Sequence, residues 1–342
     1  MAQIRDVAAK AGVSPSTVSR ALTHPDMVAA GTRARVEATA REMGYQPNLL
    51  ARNLRRGGSQ TIGLIVTDIL NAFHATVAKG VQDAAFRHGF NVFLCNTDED
   101  PAKERAYLNA LAAYQLQGLV IVPTRKTRAN LRSVTAFPIV EVDRTVKLPG
   151  VRTVASQNRE GAREAVAYLI GLGHRRIGLI TGKPMITTAT ERLAGYRDAL
   201  LAAGLTLDPR LIASGNHRET GGNAAMRALM ALPDDLRPSA LLVGNNEMTA
   251  GAILATRELG LSIPRDISII GFDDSRWARL MVPALTVVEQ STYELGYTAC
   301  ELLLQVIENR DQIGRPAARP QLEVRLPTRL IVRESCARYD AD

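Results

Sequence analysis

The sequence predicts an all-α helix-turn-helix unit followed by a two-lobed α/β body with parallel sheets. Residues 1–46 contain no strand-like run and read as three short helices. From Thr61 onward short apolar runs alternate with helical stretches, the rhythm of βαβ units. A strand motif also recurs 115 residues apart, as Ile62-Gly63-Leu64-Ile65-Val66-Thr67 and Ile177-Gly178-Leu179-Ile180-Thr181-Gly182, so each copy is placed to open its own sheet. At 342 residues the chain exceeds one compact unit.

In order, Ile4, Val7, Ala8 and Ala11 stand at helical spacing, and Gly12 supplies the left-handed stop of a tight turn. Ser14 can cap the second helix, Pro15 suits its first position, and Val18, Ala21 and Leu22 form its inner stripe. A third helix over 32–43 presents Val36, Ala40 and Met43 and closes at Gly44. Pro47 stops a helix, 48–56 could form a short one, and Gly57-Gly58-Ser59 is flexible. The domains expected are therefore a helix-turn-helix unit at 1–46, a hinge and linker at 47–59, a two-lobed body at 60–335 and a polar tail at 336–342. Strands are expected over 61–66, 90–95, 118–122, 139–142, 176–180, 241–244, 267–272 and 285–288. Two such lobes turn their strand C-terminal ends toward a shared crevice, where small ligands bind.

Composition narrows the function. With 46% apolar and 22% charged residues the chain is globular. Residues 1–14 lack an apolar signal core, which places the protein in the cytoplasm. Cys95, Cys300 and Cys336 are odd in number and lack C-x-x-C spacing, against a disulfide framework or a cysteine metal site. The longest uncharged run, 106–124, is interrupted by Asn109, Gln115, Gln117, Gly118 and Pro123 and reads as helix then strand, not a membrane span. Of the net charge of +8, most sits in residues 1–57, where nine Lys or Arg face four acids. A compact basic unit calls for a polyanionic partner.

Enzyme signatures are missing: there is no G-x-S-x-G, no H-E-x-x-H and no G-x-G-x-x-G after a strand. The stretch 178–183 resembles a phosphate loop only faintly, since Ile177 and Pro184 occupy key places. Five scattered histidines and Asp273-Asp274 make no metal set, so no catalytic residue, metal or cofactor is assigned. His174 follows a helix and is expected to cap it. The N-terminal pattern is far more specific. On the second helix Pro15, Ser16, Thr17 and Arg20 face away from the Val18 and Leu22 stripe, and an arginine reads guanine O6 and N7 in the major groove. Ser14, Ser19 and Tyr45 suit phosphate contacts that fix register.

Val7-Ala8-x-x-Ala11-Gly12-Val13-Ser14-x-x-Thr17-Val18-Ser19-Arg20, with Gly44-Tyr45-x-Pro47-Asn48-x-x-Ala51-Arg52-x-Leu54, resembles the lactose and galactose repressor (LacI/GalR) family of bacterial transcription regulators. The resemblance continues through Gly173-His174-Arg175-Arg176-Ile177-Gly178, Arg192-Leu193-Ala194-Gly195-Tyr196, Met248-x-x-Gly251-Ala252, Gly271-Phe272-Asp273-Asp274 and Pro327-x-Arg329-Leu330-Ile331. It implies a periplasmic-binding-protein-like body and a homodimer on a near-palindromic operator. A hinge helix would insert Leu54 into the minor groove, with Asn48 and Ala51 on the approach. The effector contacts it implies are Asp68, Asn71, Phe73, His74, Arg192, His217, Asn245, Asp273 and Gln290. A set led by Arg192 and Asp273 suits a sugar, sugar acid or sugar phosphate.

Three departures stand out. Gln157-Asn158 and Asn245-Asn246 replace pairs that commonly carry a carboxylate, which tilts the expectation toward a sugar acid or phosphorylated sugar. Ala29 replaces a helix-capping hydroxyl. The function expected is an effector-controlled repressor of carbohydrate or sugar-acid genes. Its rivals are a solute-binding protein, which would lack the basic N-terminal unit, and an enzyme on the same scaffold, which would need an acid-base pair.

Overall fold

The computed structural model describes residues 2–23, 25–45, 60–133, 137–312 and 323–339. The chain divides into two compact units, Met1–Gln60 and Thr61–Asp342. The linker residues Asn48, Ala51 and Leu54 lie outside the described residues.

In the first unit α1 (Ile4–Ala11), α2 (Pro15–Thr23) and α3 (Ala30–Glu42) enclose a small core of Val7, Ala8, Ala11, Val18, Ala21, Val36 and Ala40. Gly12 closes α1 at φ 64°, in the left-handed region, and the Val13 amide returns to the Ala8 carbonyl at 3.0 Å. Burying a valine completely contributes roughly 1.5–3 kcal/mol, so Val18 at the centre of this three-helix core matters more than any one surface contact. Helix α3 begins two residues earlier than its apolar stripe suggests, and Ala29 before it gives no side-chain cap.

The second unit holds two six-stranded sheets. The first contains β1 (Thr61–Val66), β2 (Asn91–Asn96), β3 (Gly118–Ile121), β4 (Ile139–Val142), β5 (Arg152–Ser156) and β11 (Glu323–Leu326), ordered β11-β5-β4-β3-β1-β2 and parallel throughout. The second contains β6 (Ile177–Thr181), β7 (Ile212–Ser214), β8 (Ala240–Val243), β9 (Ser268–Phe272), β10 (Thr286–Gln290) and β12 (Thr328–Ile331), ordered β12-β10-β9-β8-β6-β7. Only its β10/β12 pair is antiparallel. The echoed motifs form β1 and β6, which hold the same place in their sheets.

Helices flank the sheets: α4 (Ala72–Arg87), α5 (Pro101–Ala113), α6 (Thr127–Asn130) and α11 (Thr292–Gln312) in the first lobe, and α7 (Asn158–Gly171), α8 (Thr187–Ala202), α9 (Glu219–Met230) and α10 (Asn246–Glu258) in the second. The chain changes lobe at Gln157, Ser291 and Pro327. Two glycines let α4 and α11 approach: a Cβ on Gly80 would lie 2.2 Å from the Tyr293 carbonyl, and one on Gly296 2.0 Å from that of Val77.

Strands β5, β7, β11 and β12 carry no signal strong enough to predict. Strand β7 has three residues at a sheet edge, β5 is flanked by polar residues, and Pro327 splits the β11/β12 stretch. His174 caps its helix through the backbone alone. Its backbone amide closes α7 on the Leu169 carbonyl, but the ring bonds Ser239 Oγ (2.8 Å) and Ser268 Oγ (3.1 Å) and stacks on Tyr339. Tyr339, expected in a polar tail, thereby docks on the second lobe, its amide donating to the Leu172 carbonyl at 2.8 Å. Among the described residues no helix is long and apolar enough to cross a membrane.

Candidate functional site

On α2, Ser14 is the N-cap: its Oγ accepts from the Thr17 amide at 3.1 Å and bonds the hydroxyls of Ser16 (2.7 Å) and Thr17 (2.8 Å). Val18 and Ala21 point inward, so Ser14, Pro15, Ser16 and Arg20 are exposed and Thr17 and Ser19 half-buried. Tyr45 packs its ring partly on the core, with its backbone amide donating to the Ala40 carbonyl at 2.9 Å. The helix thus presents one arginine and a row of hydroxyls, a donor-rich face suited to base edges and phosphates.

In the second unit the strand ends converge on a polar chamber that runs into a second one. Eight of the nine residues expected there, all but Asp68, line the inner chamber. Asp68 lines the outer one, which shares Asn71, His74, Arg144, His217 and Asn245 with the first.

The geometry divides these residues by what remains free to meet a ligand. Arg192 is buried on α8, its Nε donating to Asn158 Oδ1 (2.8 Å) and another nitrogen to the Gly244 carbonyl, with the guanidinium 3.6 Å over the Phe272 ring. Asp273 follows β9 at φ 76° and accepts from Gln290 Nε2 (2.5 Å) and the Asn246 amide (3.3 Å). Burial pushes its carboxyl pKa up, and Arg192 pulls against that.

His74 is fully committed. Its Nδ1 faces the Asp68 carbonyl (3.1 Å), so that nitrogen carries the proton, and its Nε2 accepts from Thr67 Oγ1 (3.2 Å). Burial, with Arg144 beside it, holds its pKa down at about 3. His217 Nδ1 accepts from the Lys183 amide at 3.1 Å, which leaves Nε2 as the protonated atom. Burial and then Arg144 hold this ring neutral as well. Asn71 caps α4 by accepting from the Phe73 amide at 2.9 Å, and Asn245 caps α10 by accepting from that of Met248 at 2.9 Å.

Asp143, Arg144, Thr188 and Asn246 also line the inner chamber and were not foreseen. Asp143 directly follows β4 at φ 67°, as Asp273 follows β9, and the two strands hold the same place in their sheets. Extending the β1/β6 echo along both lobes would have found it. Arg144 donates to Glu99 Oε1 at 2.7 Å and its Nε stands 3.5 Å from Asp143 Oδ2. Burial raises the Asp143 pKa to about 6 against the pull of Arg144 and Arg192. Among buried side-chain atoms of the described residues, Arg144 Nε, Ser156 Oγ and Gln290 Oε1 lack a hydrogen-bond partner, and Arg144 and Gln290 line this chamber.

A hydroxyl-bearing recognition helix on one unit and a polar crevice between two α/β lobes on the other define a ligand-responsive DNA-binding regulator. Residues 3–48 match the family model for bacterial regulatory proteins of the lacI family, and 166–336 match that for a periplasmic binding protein-like domain. The chain belongs to the lacI family and is a helix-turn-helix transcriptional regulator, not an enzyme. It is 36% identical to the HTH-type transcriptional repressor CytR of Escherichia coli strain K12, over 90% of this chain and 91% of that one. Among solved structures, the transcriptional regulator CelR-cellobiose complex is 30% identical with TM-score 0.72, covering 98% of this chain and 100% of that one. The lac repressor dimer bound to operator and the anti-inducer ONPF is 27% identical with TM-score 0.83, covering 98% and 99%.

Proposed function

We propose that the protein is a cytoplasmic homodimeric repressor whose operator affinity is set by a small neutral sugar held between the lobes. In this reading Pro15, Ser16, Thr17 and Arg20 meet base edges, and Ser14, Ser19 and Tyr45 meet phosphates. Asn48, Ala51 and Leu54 form the minor-groove element, a role carried by the family resemblance alone. Near-palindromic operator DNA and a second copy of the chain are the partners in this reading, which is supported by the lac repressor relative being a dimer bound to operator.

The observation that carries the effector class is two buried atoms on one chamber that make no hydrogen bond, the donor Arg144 Nε, which has only its ion pair with Asp143 at 3.5 Å, and the acceptor Gln290 Oε1. A hydroxyl donates and accepts, so sugar hydroxyls satisfy both atoms without adding charge to the chamber. Charge points the same way. Arg144 is paired with Glu99, Arg192 faces Asp273, and Asp143 adds a third carboxyl, so the chamber offers an anion no excess of positive charge. Within the range of sugar, sugar acid and sugar phosphate, this balance favours the neutral sugar. The cellobiose held by one structural relative is of that class.

The test is thermal denaturation of the full chain with D-ribose, D-glucose, cellobiose, D-gluconate and D-ribose 5-phosphate. A ligand at ~100 times its Kd adds about 2.7 kcal/mol to stability. A raised Tm with a neutral sugar supports the reading. A response confined to gluconate or ribose 5-phosphate overturns the neutral class.

A further inference from the structure

Asn71 at the N-terminus of α4 in the first lobe and Asn246 at the N-terminus of α10 in the second meet across the crevice. Asn71 Nδ2 donates to Asn246 Oδ1 at 3.1 Å and Asn246 Nδ2 donates to Asn71 Oδ1 at 3.0 Å. Both side chains are buried, and 175 residues separate them. We infer that this reciprocal amide pair is a clasp that holds the lobes together without effector and sets the balance between closed and open crevice.

The chemistry requires an amide on each side. Two helix N-termini face one another here, and each carries partial positive charge and unpaired amides. Asn71 Oδ1 accepts from its own helix at the Phe73 amide and from the Asn246 side-chain amide across the gap. A carboxylate at 246 would accept from Asn71 but could not donate back. It would also add charge beside Asp273, whose Oδ2 accepts from the Asn246 amide, and beside Glu247, whose pKa is already raised by burial and by Asp68. A second polar contact spans the crevice: the Thr145 amide in the first lobe donates to Thr187 Oγ1 in the second at 3.1 Å. That amide is a reporter of closure independent of the clasp residues. Asn71 and Asn246 are thus positioning residues. Their consequence for regulation rests on the crevice being the effector site, but closure itself does not.

The experiment is hydrogen exchange of the full chain without ligand, resolved to the Thr145 amide, for the wild type, Asn246→Ala, Asn71→Asp and the double variant. Asn71→Asp keeps the oxygen that caps α4 and removes one of the two interlobe bonds. Asn246→Ala is expected to speed Thr145 exchange roughly tenfold, Asn71→Asp by less, and the double variant no more than Asn246→Ala. Leu64 and Leu242 amides, inside β1 and β8, should keep wild-type rates. Unchanged Thr145 exchange in both single variants, or effects that multiply in the double, overturns the clasp. If Asn246→Ala also speeds Leu64 and Leu242, Asn71→Asp decides, with wild-type Thr145 exchange counting against the clasp. Because no sugar is added, failure of the sugar reading leaves this result standing.

Discussion

The guanidinium of Arg192 lies 3.6 Å over the ring of Phe272 while its Nε is held by Asn158. Stacking and the hydrogen bond fix the plane of the fork before any ligand arrives. Arg192→Lys keeps the charge but loses the plane, the stacking and the bidentate reach. Effector affinity should fall by ~1–3 kcal/mol, about 5- to 150-fold. Titration calorimetry with the sugar that raises Tm measures this, and an unchanged Kd would remove Arg192 from the site.

Gly182 follows β6 against His217, so that a Cβ there would stand 2.0 Å from Cε1 and Nε2 of the ring. Gly182→Ala alters no polar group, yet it must displace His217 from its bond with the Lys183 amide. Effector affinity should drop by about tenfold, on the order of one lost hydrogen bond, while operator binding by the effector-free protein persists. Retained affinity, measured in the same titration, would show that His217 does not touch the ligand.

Much of this arrangement is legible in the sequence. The three N-terminal helices follow from Gly12, Ser14 and Pro15, whose turn and capping chemistry is local. The crevice residues that follow strongly apolar strands, Asp68 and Asp273 among them, are also found. Asp143 and Arg144 are not, because a four-residue strand and an acid beside a base look like ordinary surface until the sheet order aligns β4 with β9. The Asn71–Asn246 pair is invisible for a different reason: contact between residues 175 apart depends on how the lobes meet. His174 is legible only in part, because its amide caps the helix as its neighbours in sequence suggest, while its ring bonds Ser239 and Ser268.

Asp143 gives the stability a definite pH dependence. Its pKa is raised to about 6 in the folded chain, by burial above all, from an unperturbed value of 3.8. The folded state therefore binds more protons than the unfolded state between those values, and stability falls as pH rises through that window. The contribution is up to about 3 kcal/mol and is complete above pH ~7. Asp143→Asn removes it. Urea unfolding from pH 4 to 7 should show wild-type stability declining relative to the variant, and parallel curves would mean that Asp143 is not held in this environment. His74, at about 3, does not titrate above pH 6, and His217 is also neutral there, so effector affinity should be flat from pH 7 to 8.

Arg20 tests the other end of the molecule. It is exposed on the face of α2 opposite Val18, on a helix whose start is fixed by the Ser14 cap. If Arg20 reads a base edge, Arg20→Ala should weaken binding to an operator selected from random duplex DNA by ~1–3 kcal/mol and relax preference at one base pair in each half-site. The dependence of log Kd on log salt should keep its slope, because no phosphate contact is lost. If Arg20 instead meets a phosphate, binding weakens evenly across sequences and the slope falls by about one. Sequence selection and salt titration on the same variant separate these outcomes. Operator binding indistinguishable from wild type in both would mean that α2 is not the helix that enters the groove.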